Sequence, residues 1–241
     1  MSQITAPYAA APAEPIFKQE LVWQWPIRLF HWLNALAFVV LFLTGLYISD
    51  PIFSPAGEAY GNQTMGYVRM THFIAAAVFT VGFFWRICWF WLGNRYARSG
   101  FPYVWRARWW RNLVRQTWDY LRLDFGHVHM GHNALAGLAY TLVPVIGGWV
   151  MILTGLALFG QSNPDGFWDS LCGWVIPMLG GGLRTHMWHH LVAWLFLVFA
   201  IVHVYIVVLD GTQQRNGLIS SMISGRKFYP ADEKPGSHDE D

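Results

Sequence analysis

The chain has 241 residues, of which 54% are hydrophobic and only 12% are charged. Since a soluble domain carries roughly 25% charged residues, this composition argues against a large soluble protein and favours an integral membrane protein. The 15 Trp fit the same class, because Trp is favoured at the lipid–water boundary. The formal net charge of +2 distinguishes no class of function, whereas the placement of the basic residues does.

Four apolar stretches run along the chain, separated by polar connections. Residues 1–20 contain no apolar segment of the kind that a secretory signal requires, and we expect them to form a flexible tail. Each stretch has about 20 residues or more, which is enough for a helix to cross a bilayer. The predicted spans are residues 29–48, 72–92, 133–159 and 186–209. The sequence therefore predicts an all-α membrane protein, built as a bundle of four transmembrane helices.

The connections between the spans differ in charge. Residues 93–131 contain seven Arg interleaved with Trp, which is typical of a helix lying in the membrane interface. Nucleic acid is another partner of basic patches, but the two flanking spans argue against it. The first and third connections hold only Arg69 and Arg184. Since cytoplasmic loops carry the excess of Lys and Arg, we place the basic loop and both termini in the cytoplasm.

The remaining polar segments carry weaker local signals. Residues 51–68 and 160–184 are expected to be loops, because they contain Gly, Pro and Asn. Residues 211–241 are expected to be a polar cytoplasmic tail. A short helix is predicted near its start, around residues 218–223.

Two features inside the spans have a structural interpretation. Arg86, near the end of the second span, could extend its long stem to the membrane interface. The segment Leu-Thr-Gly-Leu occurs twice, at residues 43–46 and 153–156. Gly at such positions favours close packing of helices.

Four histidines lie in or beside the spans, and the topology gives their depths. His189 and His203 are 14 residues apart, so they rise about 21 Å and stay within about 40° of one helix face. His189 then lies near the outer surface and His203 near the inner one. By the same reasoning, His31 begins the first span at the inner surface and His72 begins the second at the outer surface. The predicted pairs are His31 with His203 and His72 with His189.

Each pair could ligate one haem iron from two sides, because neutral imidazole is a natural axial ligand. Lipid offers no hydrogen-bond partner, so an isolated buried His would cost roughly several kcal/mol. A single His at a helix end is otherwise often only interfacial. Arg28 and Arg69 each lie three residues before a predicted ligand and could pair with haem propionates. The alternative for both is a simple cation at the membrane edge.

Neighbouring histidines leave alternatives open. His186 and His190 compete with His189, although each lies about 100° from the helix face in question. Clusters of His could instead bind zinc, and the candidates are His186, His189 and His190, or His127, His129 and His132. Neither cluster is accompanied by Cys, Asp or Glu at a useful spacing, which argues against zinc.

Seven short motifs, in order along the chain, resemble one known family. They are Pro26-Ile-Arg-Leu-Phe-His31-Trp, Met65-Gly-Tyr-Val-Arg-Met-Thr-His72-Phe, Gly93-Asn-Arg-Tyr, Gly131-His-Asn-Ala, Met151-Ile-Leu-Thr-Gly155, His186-Met-Trp-His-His190 and His203-Val-Tyr205. Together they resemble the b-type cytochrome subunit of membrane-bound nickel–iron uptake hydrogenases, from about residue 20 to 229. A more distant resemblance is to the cytochrome b subunits of respiratory formate dehydrogenases.

The resemblance implies a fold, two cofactors and a direction of electron transfer. Members of the family have four transmembrane helices and two b haems in the bacterial inner membrane. The haem ligands of the family fall on His31, His72, His189 and His203. The outer haem accepts electrons from the iron–sulfur small subunit of the hydrogenase, which connects it to the large nickel–iron subunit. The inner haem passes electrons to a quinone, and the cytochrome performs no hydrogen chemistry itself.

The same resemblance implies a quinone site at the cytoplasmic start of the third span. In this chain that position is His132-Asn133, whose side chains could hydrogen-bond a quinone carbonyl. Asn133 could equally be the N-cap of the third helix, and both roles can coexist. His127 and His129 are not part of the family pattern.

Two other functions stay open at this point. The partner could be a formate dehydrogenase or another periplasmic oxidoreductase, because the haem pattern does not distinguish these partners. A haem-free transporter that uses His as a proton relay is a further hypothesis, and a coloured purified protein would exclude it.

Overall fold

The computed structural model describes residues 16–52, 62–124, 130–214 and 216–231. Within these ranges four helical segments are long and apolar enough to cross a membrane. They are Trp25–Ser49, Thr64–Leu92, Ala134–Gly160 and Gly182–Gln214. The predicted four-helix membrane architecture is therefore confirmed. His127 and His129 lie outside the described residues.

The long helices are joined by shorter elements. In chain order the structure has β1 (Phe17–Leu21), α1 (Trp25–Ser49), α2 (Thr64–Leu92), a 3-10 turn (Arg95–Arg98), α3 (Ala107–Leu121), α4 (Ala134–Tyr140), a π-helical segment (Thr141–Gly147), α5 (Gly148–Gly160), α6 (Phe167–Cys172), α7 (Val175–Met178), α8 (Gly182–Gln214), α9 (Leu218–Ser224) and β2 (Arg226–Pro230). The third span consists of α4, the π-helical segment and α5. α1 packs along α2, and α5 packs against α6 and α8.

Three of the long helices begin earlier than the apolar pattern predicts. α1 begins at Trp25. α2 begins at Thr64, inside the predicted loop 51–68, and the Thr64 N–H donates to Asn62 Oδ1 at 3.0 Å. α8 begins at Gly182, directly after Gly180 and Gly181, which have φ values of +86° and +109° that glycine tolerates at little steric cost. Hydropathy marks only the apolar part of a helix, so it places all three starts too late.

The segment 160–184, predicted to be a loop, contains two short helices. α6 and α7 pack on α5 through a buried cluster of Ala157, Cys172 and Val175. The loop prediction is wrong here because helices this short carry no clear periodic signal and depend on tertiary packing.

The two ends of the described chain pair with each other. β1 and β2 are antiparallel, with Phe17 opposite Pro230 and Leu21 opposite Arg226. The expectation of a flexible tail through residue 20 is therefore wrong for the residues of β1. The polar tail after the fourth span does contain the short helix, α9, but it continues into β2. Strands so distant in sequence leave no hairpin signal between them.

These strands belong to a folded cap at one end of the bundle. Its buried cluster comprises Val22, Trp23, Ile27, Tyr96, Ala97 and Met130. The cap also joins the start of α1 to the end of α2, because Trp89 Nε1 donates to Gln24 Oε1 at 3.0 Å. We call this end, which includes α3 and both described termini, the basic end, and the other end the opposite end.

The third span departs from a regular α-helix around a proline. Pro144 lies within the π-helical segment. Proline has no N–H to donate and crowds the preceding turn, and a widened π turn relieves that conflict. Gly147 and Gly148 follow, and a Cβ there would lie 3.0 Å from Phe196 Cε2 and 2.7 Å from Phe83 Cε2, respectively. The two glycines therefore let α5 approach α8 and α2 closely.

Aromatic rings fill the middle of the bundle. Ring centroids are 6.1 Å apart for Phe38 and Phe196, 6.2 Å for Phe79 and Phe196, and 5.2 Å for Phe42 and Trp194. We call these five residues, which come from α1, α2 and α8, the aromatic layer. Phe38, Phe79 and Phe196 each follow a predicted ligand by seven residues, and a seven-residue spacing keeps side chains on one helix face.

α3 is the helix expected in the basic connection. Trp110, Val114 and Trp118 form an exposed apolar row along it, and Arg111 and Arg115 flank the row. A helix with one apolar and one cationic face is of the type that lies on a lipid surface.

Candidate functional site

At the basic end, α1 and α8 bring His31 and His203 together. Their ring centroids are 6.4 Å apart and the ring planes are inclined by 54°. An imidazole nitrogen binds a first-row metal at about 2.0–2.1 Å, so this separation leaves room for one ion between the rings. His31 Nδ1 is buried and has no hydrogen-bond partner among the described residues. Phe199 stacks on His203 with a centroid distance of 5.7 Å.

At the opposite end, α2 carries His72 and α8 carries His189. His72 Nδ1 lies 2.8 Å from Thr44 Oγ1 on α1. His189 Nδ1 lies 2.8 Å from Thr154 Oγ1 on α5. The structure thus brings His31 and His203 together, and it places one threonine against each of the other two predicted rings.

A glycine follows each of these threonines and gives space to the ring. A Cβ on Gly45 would lie 3.5 Å from His72 Cε1, and one on Gly155 would lie 3.3 Å from His189 Cε1. These residues belong to the two Leu-Thr-Gly-Leu segments. The sequence suggested only close helix packing at the repeat, whereas the structure shows that each copy packs against a histidine ring.

His189 differs from its neighbours in what it contacts. His186 is exposed, and His190 packs on Trp194 with ring centroids 6.2 Å apart. Only His189 of the three faces the threonine of α5.

The described part of the chain contains no group of three or more His, Cys, Asp or Glu that could hold a metal ion. Of the second zinc candidate, His132 is described, whereas His127 and His129 lie outside the described residues.

The two arginines predicted to bind propionates lie in different surroundings. Arg28 Nη1 donates to the Ile223 carbonyl of α9, while its Nε is buried without a partner in the described structure. A carboxylate is the group that would best satisfy such a guanidinium N–H. Arg69 is exposed, one turn before His72, and forms no hydrogen bond or ion pair with the residues described.

The donor set at both ends fits a haem iron. At the basic end two rings from different helices lie with their centroids 6.4 Å apart, which leaves room for one metal ion between them. At the opposite end both rings are held through Nδ1, which leaves Nε2 for a metal. The aromatic layer between the two ends offers the apolar surface that a porphyrin needs.

His132 lies at the start of the third span, close to the pair at the basic end. Ser99 Oγ accepts from the His132 backbone N–H at 3.0 Å, lies 3.2 Å from His132 Nδ1, and donates to the Tyr96 carbonyl at 2.8 Å. Trp23 and Tyr140 flank the ring, with centroid distances of 5.2 and 5.6 Å. His132 Nε2 makes no hydrogen bond within the described residues, so it is the ring atom available to a ligand.

The surroundings keep His132 neutral. Burial, followed by the positive charges of Arg86, Lys227 and His203, lowers the pKa of His132 to about 3. Because the Ser99 hydroxyl proton is used on a backbone carbonyl, His132 Nδ1 carries the ring proton and donates it to that hydroxyl. Nε2 is then a hydrogen-bond acceptor.

Asn133 forms the N-cap of α4. Its Oδ1 accepts from the Ala136 N–H at 2.8 Å, and its Nδ2 donates to the Tyr120 hydroxyl at 2.6 Å. Burial raises the pKa of Tyr120, against the opposing effect of the Asn133 hydrogen bond, so the phenol stays protonated. An amide NH₂ carries two hydrogens, which leaves one for a ligand.

Arg86, whose long stem could have extended to the membrane interface, is instead buried within the protein. It is 8% exposed, its Nη2 donates to the Ala97 carbonyl at 2.7 Å, and its guanidinium lies 5.4 Å from the centroid of Tyr140. Because the 3-10 turn folds back over the end of α2, the charge finds a backbone acceptor in place. In the sequence, the sign of this role is that Arg86 is the single charged residue within an apolar span.

Sequence reasoning missed Lys227 altogether, because it lies in the presumed tail. Lys227 is 2% exposed, and its ammonium lies 5.9 Å from the centroid of Trp23. Burial lowers its pKa to about 8, although the negative charge of Asp210 acts in the other direction.

Asn34, three residues after His31, is a second missed polar residue. Its Nδ2 donates to the Phe30 carbonyl at 2.9 Å, and its Oδ1 is buried with no partner within the described ranges. Gly82 of α2 faces this amide, and a Cβ there would lie 2.2 Å from Asn34 Nδ2. In the sequence, the sign that Asn34 has a specific role is its amide side chain within an apolar segment.

These features define a class of protein. Four helices long enough to span a membrane carry imidazole rings at both ends of the bundle, with apolar and aromatic surfaces between them, as a membrane protein with a haem-type cofactor requires. The model of the family described as prokaryotic cytochrome b561 matches residues 22–225. The chain belongs to this family, and membership implies b-type haem.

Curated relatives agree with the motif-based resemblance, which is thereby confirmed. The "Probable Ni/Fe-hydrogenase B-type cytochrome subunit" of Azotobacter chroococcum mcd 1 is 40% identical over 224 residues, covering 91% of this chain and 93% of the relative. The protein of the same name from Cupriavidus necator is 39% identical over 215 residues, covering 88% of each chain. The "Probable Ni/Fe-hydrogenase 1 B-type cytochrome subunit" of Escherichia coli K12 is 35% identical over 219 residues, covering 86% and 90%.

Proposed function

We propose that this chain is the cytochrome subunit of a membrane-bound nickel–iron hydrogenase, with two b haems that connect the hydrogenase to quinone. The observation that supports this proposal is the facing pair His31 and His203 at the basic end, together with His72 and His189 at the opposite end, each of which lies against a threonine through Nδ1. The printed names of the relatives support a hydrogenase as the partner. Its iron–sulfur small subunit would be the direct contact, and the large nickel–iron subunit would be reached through it.

Each end of the bundle has its own set of proposed haem-binding residues. The proposed axial ligands are His31 with His203 and His72 with His189. A bound b haem supplies reversible one-electron transfer. Arg28, with its unsatisfied Nε, would bind a propionate at the basic end, and Arg69 would do so at the opposite end.

The charge distribution supports an orientation in the inner membrane. The basic end carries the Arg-rich connection, so the positive-inside rule favours its placement in the cytoplasm. α6 and α7 then lie on the periplasmic side, where the hydrogenase would dock. Each electron that moves inward separates charge across the membrane, which is worth about 2.3 kcal/mol per 100 mV.

The proposed quinone site is formed by His132 and Asn133. His132 Nε2 would accept a hydrogen bond from a quinol hydroxyl, and the remaining Asn133 Nδ2 hydrogen would donate to a quinone carbonyl. Trp23 and Tyr140 would contact the faces of the ring system. The site lies at the basic end, where Trp23 and Tyr140 flank the His132 ring, so in this proposal it belongs to the same end as the inner haem.

Haem stoichiometry of ligand variants tests this function. The complex isolated with its partner should show a b-type visible spectrum and two haems per cytochrome chain. His72→Ala should leave one haem and abolish hydrogen-to-quinone electron transfer. His186→Ala and His190→Ala are matched controls from the neighbouring positions, and both should retain two haems.

Each contrary result has a definite meaning. A colourless purified protein would contradict the cytochrome and favour the haem-free transporter. Two haems and full activity in His72→Ala would remove that residue from the ligand set. Copurification with a formate dehydrogenase instead of a hydrogenase would replace the proposed partner.

A further inference from the structure

We propose that Thr44 and Thr154 are positioning residues that fix the ring tautomer of His72 and His189. In this proposal each copy of the Leu-Thr-Gly-Leu segment orients one axial histidine, and both copies serve the outer haem. The inference rests on the proposed function, because it assumes that these two rings bind iron.

The hydroxyl hydrogens of both threonines are already used. Thr44 Oγ1 donates to the Val40 carbonyl at 2.6 Å, and Thr154 Oγ1 donates to the Val150 carbonyl at 2.6 Å. A hydroxyl has one hydrogen and two acceptor lone pairs. Each threonine must therefore accept a hydrogen bond from the histidine next to it.

The ring nitrogen that faces each hydroxyl must consequently carry the proton. Nδ1 is that nitrogen in both rings, at 2.8 Å from the threonine oxygen. A neutral imidazole has one protonated nitrogen, so Nε2 of each ring keeps its lone pair. Nε2 lies across the ring from the nitrogen that faces the threonine, so it is the atom left to bind a metal.

The glycine that follows each threonine serves the same arrangement. Gly45 and Gly155 leave 3.5 and 3.3 Å between a would-be Cβ and the Cε1 atom of the ring. A larger side chain would push the ring away from the hydroxyl. The four-residue repeat thus combines an acceptor for Nδ1–H with space for the ring edge.

Among the threonines of the described structure, only Thr44 and Thr154 contact a histidine ring. Threonines in apolar helices commonly donate to the carbonyl four residues earlier, and Thr80 does so here, with 2.7 Å to the Ala76 carbonyl. No histidine contacts Thr80 within the described structure. Thr80 is therefore a matched control for the loss of a buried hydroxyl without the loss of a ring contact.

Neither ring of the inner pair contacts a threonine within the described residues. His31 Nδ1 is buried without a hydrogen-bond partner in the described residues. Hydrogen bonding of the distal ring nitrogen raises the basicity of a metal-bound imidazole, and a more basic ligand stabilises the ferric form. We therefore expect the outer haem to have the lower potential of the two, which favours electron flow toward the inner one.

The test compares redox titrations of the complex with its partner. Thr44→Val and Thr154→Val should each shift one of the two haem midpoint potentials upward and leave the other unchanged. The electron paramagnetic resonance signal of the same ferric haem should change. Thr44→Ser keeps a hydroxyl and should give the midpoint potential and the electron paramagnetic resonance signal of the wild type. Thr80→Val should also leave the potentials and the spectrum as in the wild type.

The outcomes separate this inference from the function on which it rests. A wild-type complex without two haems would contradict the proposed function itself. With two haems present, unchanged potentials and spectra in both Val variants would overturn the role of the threonines. Loss of one haem in Thr44→Val supports the role if Thr44→Ser regains it, and overturns the role if it does not.

Discussion

At the residue scale, the protonation state of each ring follows from the groups around it. His132 is neutral because burial and the charges of Arg86 and Lys227 oppose a further positive charge. Thr44 and Thr154 act differently, through a single hydrogen bond to one ring nitrogen. In both cases the neighbour determines which ring atom can meet a ligand.

We expect His132 to make the protein sensitive to acid. Its pKa in the folded protein, about 3, lies below the ordinary value of 6.5. Between these values the unfolded ring binds a proton that the folded ring does not, so its contribution to the free energy of unfolding is complete above pH 6.5 and is lost as the pH falls toward 3.

His132→Gln should therefore lessen the fall in stability between about pH 6.5 and pH 4. Thermal unfolding of the purified complex at a series of pH values, followed by the visible spectrum, measures this effect. An acid profile identical to that of the wild type would contradict the prediction.

The candidate residues differ in how far sequence could identify them. His31, His72, His189 and His203 were accessible because helix geometry and topology fix their depths. The Thr44 and Thr154 segments were visible as a repeat, but their role depends on α1 lying beside α2 and on α5 lying beside α8. Lys227 was out of reach, because only the pairing of two distant strands buries it.

At the scale of elements, the aromatic layer lies between the two histidine pairs. Phe38, Phe79 and Phe196 come from three helices and share helix faces with the predicted ligands. Phe196 contacts both of the others and also faces Gly147. The layer therefore sets the spacing of the helices at mid-depth.

Phe196→Ala should lower the thermal stability of the complex. Truncation of a core Phe costs roughly 3–5 kcal/mol, and because Phe196 is only partly buried we expect a value near the lower limit. Val198→Ala, on the same helix at a side chain 56% exposed, is the control. Equal shifts in Tm for the two variants would show that the layer does not stabilise the bundle.

The success of prediction varied with the type of element. The four spans were predictable because about 20 apolar residues in sequence have few alternatives to a membrane helix. α6, α7 and the start of α2 were not, because their residues are polar or their helices too short to show a period. The π-helical segment around Pro144 depends on how the third span packs, which hydropathy does not report.

At the scale of the whole molecule, the cap holds α1 and α8 together. These two helices carry His31 and His203, and their other ring contacts lie at mid-depth in the aromatic layer. The cap supplies the β1–β2 pairing, the bond from Arg28 to the Ile223 carbonyl and the bond from Trp32 Nε1 to the Met222 carbonyl at 2.9 Å. The geometry of the inner pair therefore depends on residues near both termini.

Gly225→Ala should disturb the basic end selectively. Gly225 has a φ of +83°, and a Cβ there would lie 2.5 Å from the Trp23 carbonyl oxygen, so the turn between α9 and β2 would have to shift. We expect loss of the inner haem and of quinone reduction, with the outer haem retained.

Haem content per chain and a redox titration measure the effect of Gly225→Ala. Gly66→Ala is the control, because a Cβ there would meet no atom within 4 Å. Equal loss of both haems, or no loss of either, would contradict a selective effect.

The pairing of β1 with β2 also sets an order of events during synthesis. β1 and His31 are among the first parts of the described chain to leave the ribosome, whereas β2 is the last element described. The histidines of the opposite end have all of their helices once α8 is complete. The pair at the basic end must wait for a further strand, so in a nascent chain the opposite end would assemble first and the basic end only after β2 has emerged.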